Sequence, residues 1–138
     1  MFYVKAIETA ADTARADSIE TDRRVWAGVI HHVEIHFPPG CAGLLHVEIW
    51  HGGHQIYPSE ELQDFAGDDE TVIFDDFYEL VPGDNLIRIK TWNEDDTFAH
   101  TCRVRIGVLP KNIIFPEYVF QDIAKSLRWL LRRIGVIG

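Results

Sequence analysis

The sequence predicts an all-β chain, an antiparallel β-sandwich or jelly roll, ending in a C-terminal amphipathic helix. Three observations carry that prediction. Apolar and polar residues alternate through most of residues 2–109, the period-two pattern of a strand with one face on a core. Turn signals such as Pro38-Pro39-Gly40, Gly52-Gly53 and Val81-Pro82-Gly83-Asp84 punctuate the runs, and no long helical stretch lies between them to make parallel crossovers. After Pro110 the apolar period changes to three and four.

The elements follow in order. Phe2–Thr9 alternates and reads as a strand. Residues 10–24 are small, charged and poor in aromatics, so they read as a linker or arm that does not pack. From Trp26 to Phe37, Val29, Val33, Ile35 and Phe37 share a parity with His31, while Ile30, His32, Glu34 and His36 share the other. Proline lacks a ladder donor and glycine permits the turn that ends this strand. Leu44–Trp50 resumes the alternation, and Gly52-Gly53 offers a hairpin into His54–Tyr57. Pro58–Leu62 reads as a capped helical turn, with Ser59 accepting from first-turn amides. Thr71–Leu80 is one bent edge strand or two short ones. Asn85–Trp92 and Ala99–Leu109 complete about seven or eight strands.

The tail differs in chemistry. Residues 1–116 hold 9 basic and 20 acidic residues, net −11; residues 117–138 hold 4 basic and 2 acidic, net +2. From Glu117 to Arg133, Ile123, Leu127, Leu130, Leu131 and Ile134 recur at helical spacing. Glu117 and Asp122 come early and the cations late, as the helix dipole favours, and Gly135 stops the helix. The organisation expected is therefore an N-terminal strand and charged arm (1–24), a sandwich body (25–110), and a linker with the helix (111–138).

The 138 residues suit one domain, and 46% hydrophobic with 25% charged residues is ordinary globular composition. A net charge of −9 supplies no basic face for general nucleic-acid binding. No apolar run is long enough to span a bilayer, and MFYVKAIETAADT lacks the apolar core of a secretory leader. The expected location is thus the cytoplasm, where the protein is made. Two cysteines cannot form a disulfide framework. Cys41, after Gly40 in a loop, has the setting of a reactive thiol; Cys102 follows the apolar parity of its strand and is expected buried.

Three groups of residues could carry chemistry. His32, Glu34 and His36 share one strand face, and His46 and Glu48 share a face of the next. A hairpin through Cys41 would bring the rows together as imidazole and carboxylate ligands for a first-row metal, the basis of a cupin-like metalloenzyme reading. Alternating polar residues are equally expected on any half-exposed sheet, and no cofactor is expected. His51 and His54 flank the glycine turn and could join that cluster. Trp50, Tyr57 and Trp92 are the rings that could stack on a carbohydrate or peptide. The ten carboxylates from Glu60 to Asp84, and the loop Asn93–Asp96, offer oxygens for calcium without the spacing of a calcium loop. Their simpler role is to cap turns and keep sheet edges unpaired. No serine lies in a G-x-S-x-G setting.

The segments Phe37-Pro38-Pro39-Gly40-Cys41-Ala42-Gly43-Leu44, Ala66-Gly67-Asp68-Asp69-Glu70-Thr71-Val72 and Thr91-Trp92-Asn93-Glu94-Asp95-Asp96-Thr97 resemble small β-sandwich proteins of tailed phages, the head-decoration and other accessory virion proteins. The resemblance covers residues 25–110. It implies a particle-bound, self-associating protein with no turnover, and a virion location. The leading expectation is a non-enzymatic structural or assembly protein whose partners are copies of itself or other structural chains. Ile123, Leu127, Leu130, Leu131 and Ile134 are its interface candidates. The chain's own sandwich, a partner subunit or a membrane surface could each receive the helix.

Overall fold

The computed structural model describes residues 1–83, 85–114 and 117–135. Its strands are β1 (Phe2–Thr9), β2 (Ile19–Val25), β3 (Gly28–Phe37), β4 (Leu45–His51), β5 (His54–Tyr57), β6 (Phe65–Ala66), β7 (Glu70–Leu80), β8 (Asn85–Asn93) and β9 (His100–Leu109). They form two antiparallel sheets packed face to face. The first has the order β1-β9-β3-β7; the second has the order β2-β8-β4-β5, with β6 also pairing on β4. A short 3-10 turn, Arg15–Asp17, precedes β2; the helices α1 (Lys111–Ile114) and α2 (Glu117–Arg133) follow β9. The sandwich with a C-terminal helix agrees with the pattern of the sequence.

The alternation places the core. Ile30, Val33, Ile35 and Phe37 of β3 and Cys102, Val104, Ile106 and Val108 of β9 meet Leu45, Val47 and Ile49 of β4 and Ile87 and Ile89 of β8. Each large aliphatic chain buried this way contributes roughly 1.5–3 kcal/mol. Polar contacts also span the sheets. Thr9 and Thr91 share a buried hydrogen bond of 2.7 Å, and His51 Nδ1 lies 2.8 Å from the Tyr78 hydroxyl.

Four local expectations change. The stretch 10–24 is no free arm: residues 19–25 form β2, in full register with β8 from Ile19↔Thr91 to Val25↔Asn85. An edge strand needs backbone partners more than apolar side chains, and in β2 only Val25 is buried. A bulge between Ile30 and His32 shifts the register of β3, which turns Ile30 into the core instead of sharing the outer face with His32. Pro58–Leu62 has no helical turn; Gln55 Nε2 donates to the carbonyls of Pro58, Glu60 and Gln63 and holds this loop open. Ser59 Oγ donates back to the Ile56 carbonyl rather than accepting from amides. Residues 70–80 form one continuous strand. The turn residue Asp84 lies outside the described residues.

Candidate functional site

The histidine–glutamate rows do not meet. The chain crosses from one sheet to the other through residues 38–44, so β3 and β4 are not hairpin partners. His32, Glu34 and His36 project from the outer face of the first sheet, and His46 and Glu48 from the outer face of the second, with the core between them. Among the described residues no group of three or more His, Cys, Asp or Glu side chains is arranged to hold a metal. The shared-site metal set is therefore corrected to two separate networks.

On the first sheet, His32 donates to Asp75 at 2.6 Å and approaches Glu34 at 3.1 Å, while Arg105 donates to Glu34 at 3.0 Å. The bonds to Asp75 and then Glu34 hold the His32 imidazole above its ordinary range. His32 and then Arg105 hold Glu34 below the usual carboxylate range. His36 shares a 2.9 Å hydrogen bond with Thr71. Apart from His32–Glu34, which lies along β3, these are rungs across neighbouring strands, the sheet counterpart of helix side-chain pairs.

On the second sheet, β4 and β8 pair His46 with Trp92 and Glu48 with Lys90. The His46 ring stacks on Trp92, with centroids 5.0 Å apart and planes 4° from parallel, and its Nδ1 is 2.7 Å from Asp64. Arg15 covers Trp92, its guanidinium 4.8 Å from the ring centroid, and forms an ion pair with Glu48. Glu48 is buried and also accepts from Trp50 Nε1 at 3.0 Å. Lys90 sits 3.8 Å over the Trp50 ring. Arg88, further along β8, is clamped by Asp22 of β2 at 2.8 and 3.1 Å.

The proposed aromatic platform is corrected by these contacts. Tyr57 is a core residue whose hydroxyl donates to Asp76 at 2.8 Å, and its burial raises the phenol well above its ordinary range. Trp92 faces outward by parity but is only 2% exposed, because His46 and Arg15 cover its faces. Only Trp50 stays half-buried, between two open grooves of about 420 and 430 Å³. Sequence reasoning missed Arg15, Asp64 and Lys90. Nothing local marks Arg15, whose partners lie 33 and 77 positions away.

The other candidates have structural partners. His51 turns inward to Tyr78 and Asn85, while His54 stays exposed, so the two do not converge. Asp68 accepts from the amides of Gly40 and Ala42 at 2.9 and 3.1 Å and fixes the crossover loop. Asp95 accepts from the Thr97 and Phe98 amides and from His100. Cys41 is fully buried rather than an open loop thiol, and burial followed by the nearby Asp68 charge pushes it up. Burial pushes Cys102 up to about 12. A thiol held protonated is a poor nucleophile.

The helix α2 stands apart from these networks. Every residue from 121 to 130 is exposed. Ile123, Leu127, Leu130 and Ile134 are each between 48% and 61% exposed, and Leu131 is half-buried. Gly135, at φ +77°, ends the helix with its amide on the Arg132 carbonyl, as a C-terminal glycine does. The row expected to need a covering surface is not covered by the chain's own sandwich. No helix among the described residues is long and apolar enough to cross a membrane.

Comparison with known protein families, curated proteins and solved structures gave no significant match.

Proposed function

We infer that this chain is a non-enzymatic assembly protein, in which a rigid sandwich carries an amphipathic helix as its docking element. The observation that carries the reading is the exposed apolar row of α2. A helix of 17 residues is marginal in water without a surface for its apolar side, and a contiguous exposed apolar stripe marks an interaction site. His32, Glu34, Asp75 and Arg105 on one outer face, and Arg15, Glu48, Trp50 and Lys90 on the other, are engaged with one another, which supports a scaffold role for the body. The resemblance to accessory virion proteins points to the same class of function, a particle-bound protein without turnover.

A chain ending at Lys111 keeps every core residue, since these lie between Tyr3 and Val108. It is expected to fold as the sandwich and to have a smaller mass by light scattering, relative to its monomer, than the full chain at equal concentration. A full chain that is monomeric at all concentrations and binds no other protein chain overturns the reading.

A further inference from the structure

We propose that α2 pairs antiparallel with α2 of a second copy of this chain. The inference rests on the docking role above and adds its partner and geometry. Ile123, Leu127, Leu130 and Ile134 are spaced four, three and four residues apart. That is the repeat of a two-helix seam, in which each side chain enters a hole between four residues of the facing helix. An open, shallow depression lined by Asp122, Ile123, Ser126, Leu127 and Leu130 lies on this face. The positions flanking the seam include Ala124 and Ser126, small enough to let a second backbone approach.

Charge chooses the occupant and its direction. Glu117 and Asp122 open the helix, and Lys125, Arg128, Arg132 and Arg133 follow. A parallel pair sets like charge beside like charge and aligns the helix dipoles. An antiparallel pair with Leu127 facing Leu130 brings Asp122 of each helix near Arg133 of the other and opposes the dipoles. An anionic bilayer fits less well. Residues 1–116 carry net −11 and are repelled from it. Trp129, which an interfacial helix would sink into the lipid, instead carries the Arg133 guanidinium 5.2 Å over its ring.

Cysteine cross-linking in the full chain tests the geometry. In an antiparallel seam with Leu127 facing Leu130, Ser126 of one helix lies beside residue 133 of the other. Residue 126 and residue 133 of the partner helix are then offset by about 3 Å along the axis, and two copies of residue 126 by about 7.5 Å. The expected result is that a mixture of Ser126→Cys and Arg133→Cys proteins cross-links under mild oxidation several-fold more than either protein alone. The native thiols are buried and do not compete. Stronger cross-linking of each variant with itself overturns the antiparallel pairing. So does an absence of cross-links in a chain that still sediments as an oligomer, which leaves assembly intact but removes the helix seam. A monomeric chain overturns the pairing, and overturns the assembly reading as well if it binds no other protein chain; flotation on anionic vesicles in place of dimerisation overturns both.

Discussion

Replacing Arg15 with alanine tests whether the stretch after β1 belongs to the fold. Arg15 forms an ion pair with Glu48, lies over Trp92, and donates to the Leu62 carbonyl at 3.2 Å. The Glu48 side chain is 4% exposed, so without Arg15 its carboxylate keeps only the Trp50 indole as a donor among its described contacts. Hydrogen bonds to charged groups contribute about 1.5–3 kcal/mol and an exposed cation–π contact about 0.5–1 kcal/mol. Arg15 is itself 41% exposed, so water recovers part of this, and the three contacts are not additive. The expected loss is about 2 kcal/mol, a fall in melting temperature of about 6–10 °C for a chain of this size. Denaturant unfolding followed by tryptophan fluorescence measures it, because Trp92 reports the same contact. Arg15→Lys should recover only part of the loss, since an ammonium lacks the planar fork. Arg15→Ala in a Glu48→Gln background should cost less than in the native chain, because no buried charge is then stranded. A loss below about 0.5 kcal/mol, the range of an ordinary surface substitution, would refute the reasoning and return residues 10–18 to the status of a free arm.

Two further outcomes follow from the fold. A Cβ at Gly28 would lie 2.5 Å from the Leu109 carbonyl oxygen and 3.0 Å from Val108; because the nearer atom is backbone, Gly28→Ala should destabilise by about 2–4 kcal/mol in urea melts, and a neutral result would contradict the close packing of β3 on β9. The raised His32 imidazole contributes stability that is fully present below its ordinary value of about 6.5 and is lost as pH rises through its higher folded value. The lowered Glu34 carboxyl acts in the opposite sense, its contribution present above the ordinary carboxylate range and lost as pH falls through the folded value. His32→Gln should therefore flatten the decline in urea midpoint as pH rises above about 6.5; an unchanged slope would show that the rung does not couple to folding.

What the sequence reveals follows from where side chains point. Alternation marks β1, β3, β4, β8 and β9 because each lays one face on the core. It is silent for β2, where Ile19-Glu20-Thr21-Asp22-Arg23-Arg24-Val25 pairs through its backbone at a sheet edge and buries only its last residue. The same omission explains Trp92: its outward parity is legible, but its cover is Arg15, in the stretch that reads as an arm. The faces of His32, Glu34 and His36, and of His46 and Glu48, are also legible. Whether they converge depends on the path of residues 38–44, and a crossing between sheets has no periodic signature. The bulge at His31 escapes for a similar reason, since one extra residue changes parity without changing composition. For α2, spacing gives the helix and its apolar row, but spacing cannot tell whether the row lies on the sandwich or away from it.

The central claim is that this row is a docking surface. Ile123, Leu127, Leu130 and Ile134 are about half exposed, so completing the burial of each is worth roughly 1 kcal/mol. Two helices together gain about 8 kcal/mol in gross terms, against an association cost of about 4–15 kcal/mol. On this account the helix seam alone supports at most a weak, concentration-dependent complex, which a charge in its centre should abolish. Sedimentation equilibrium of the full chain and of Leu127→Asp/Leu130→Asp, over a wide concentration range, tests this directly. The account predicts reversible self-association of the full chain and a monomer for the variant, with an unchanged melt of the β-sandwich. A full chain that stays monomeric throughout, or a variant that associates as strongly as the native protein, contradicts it.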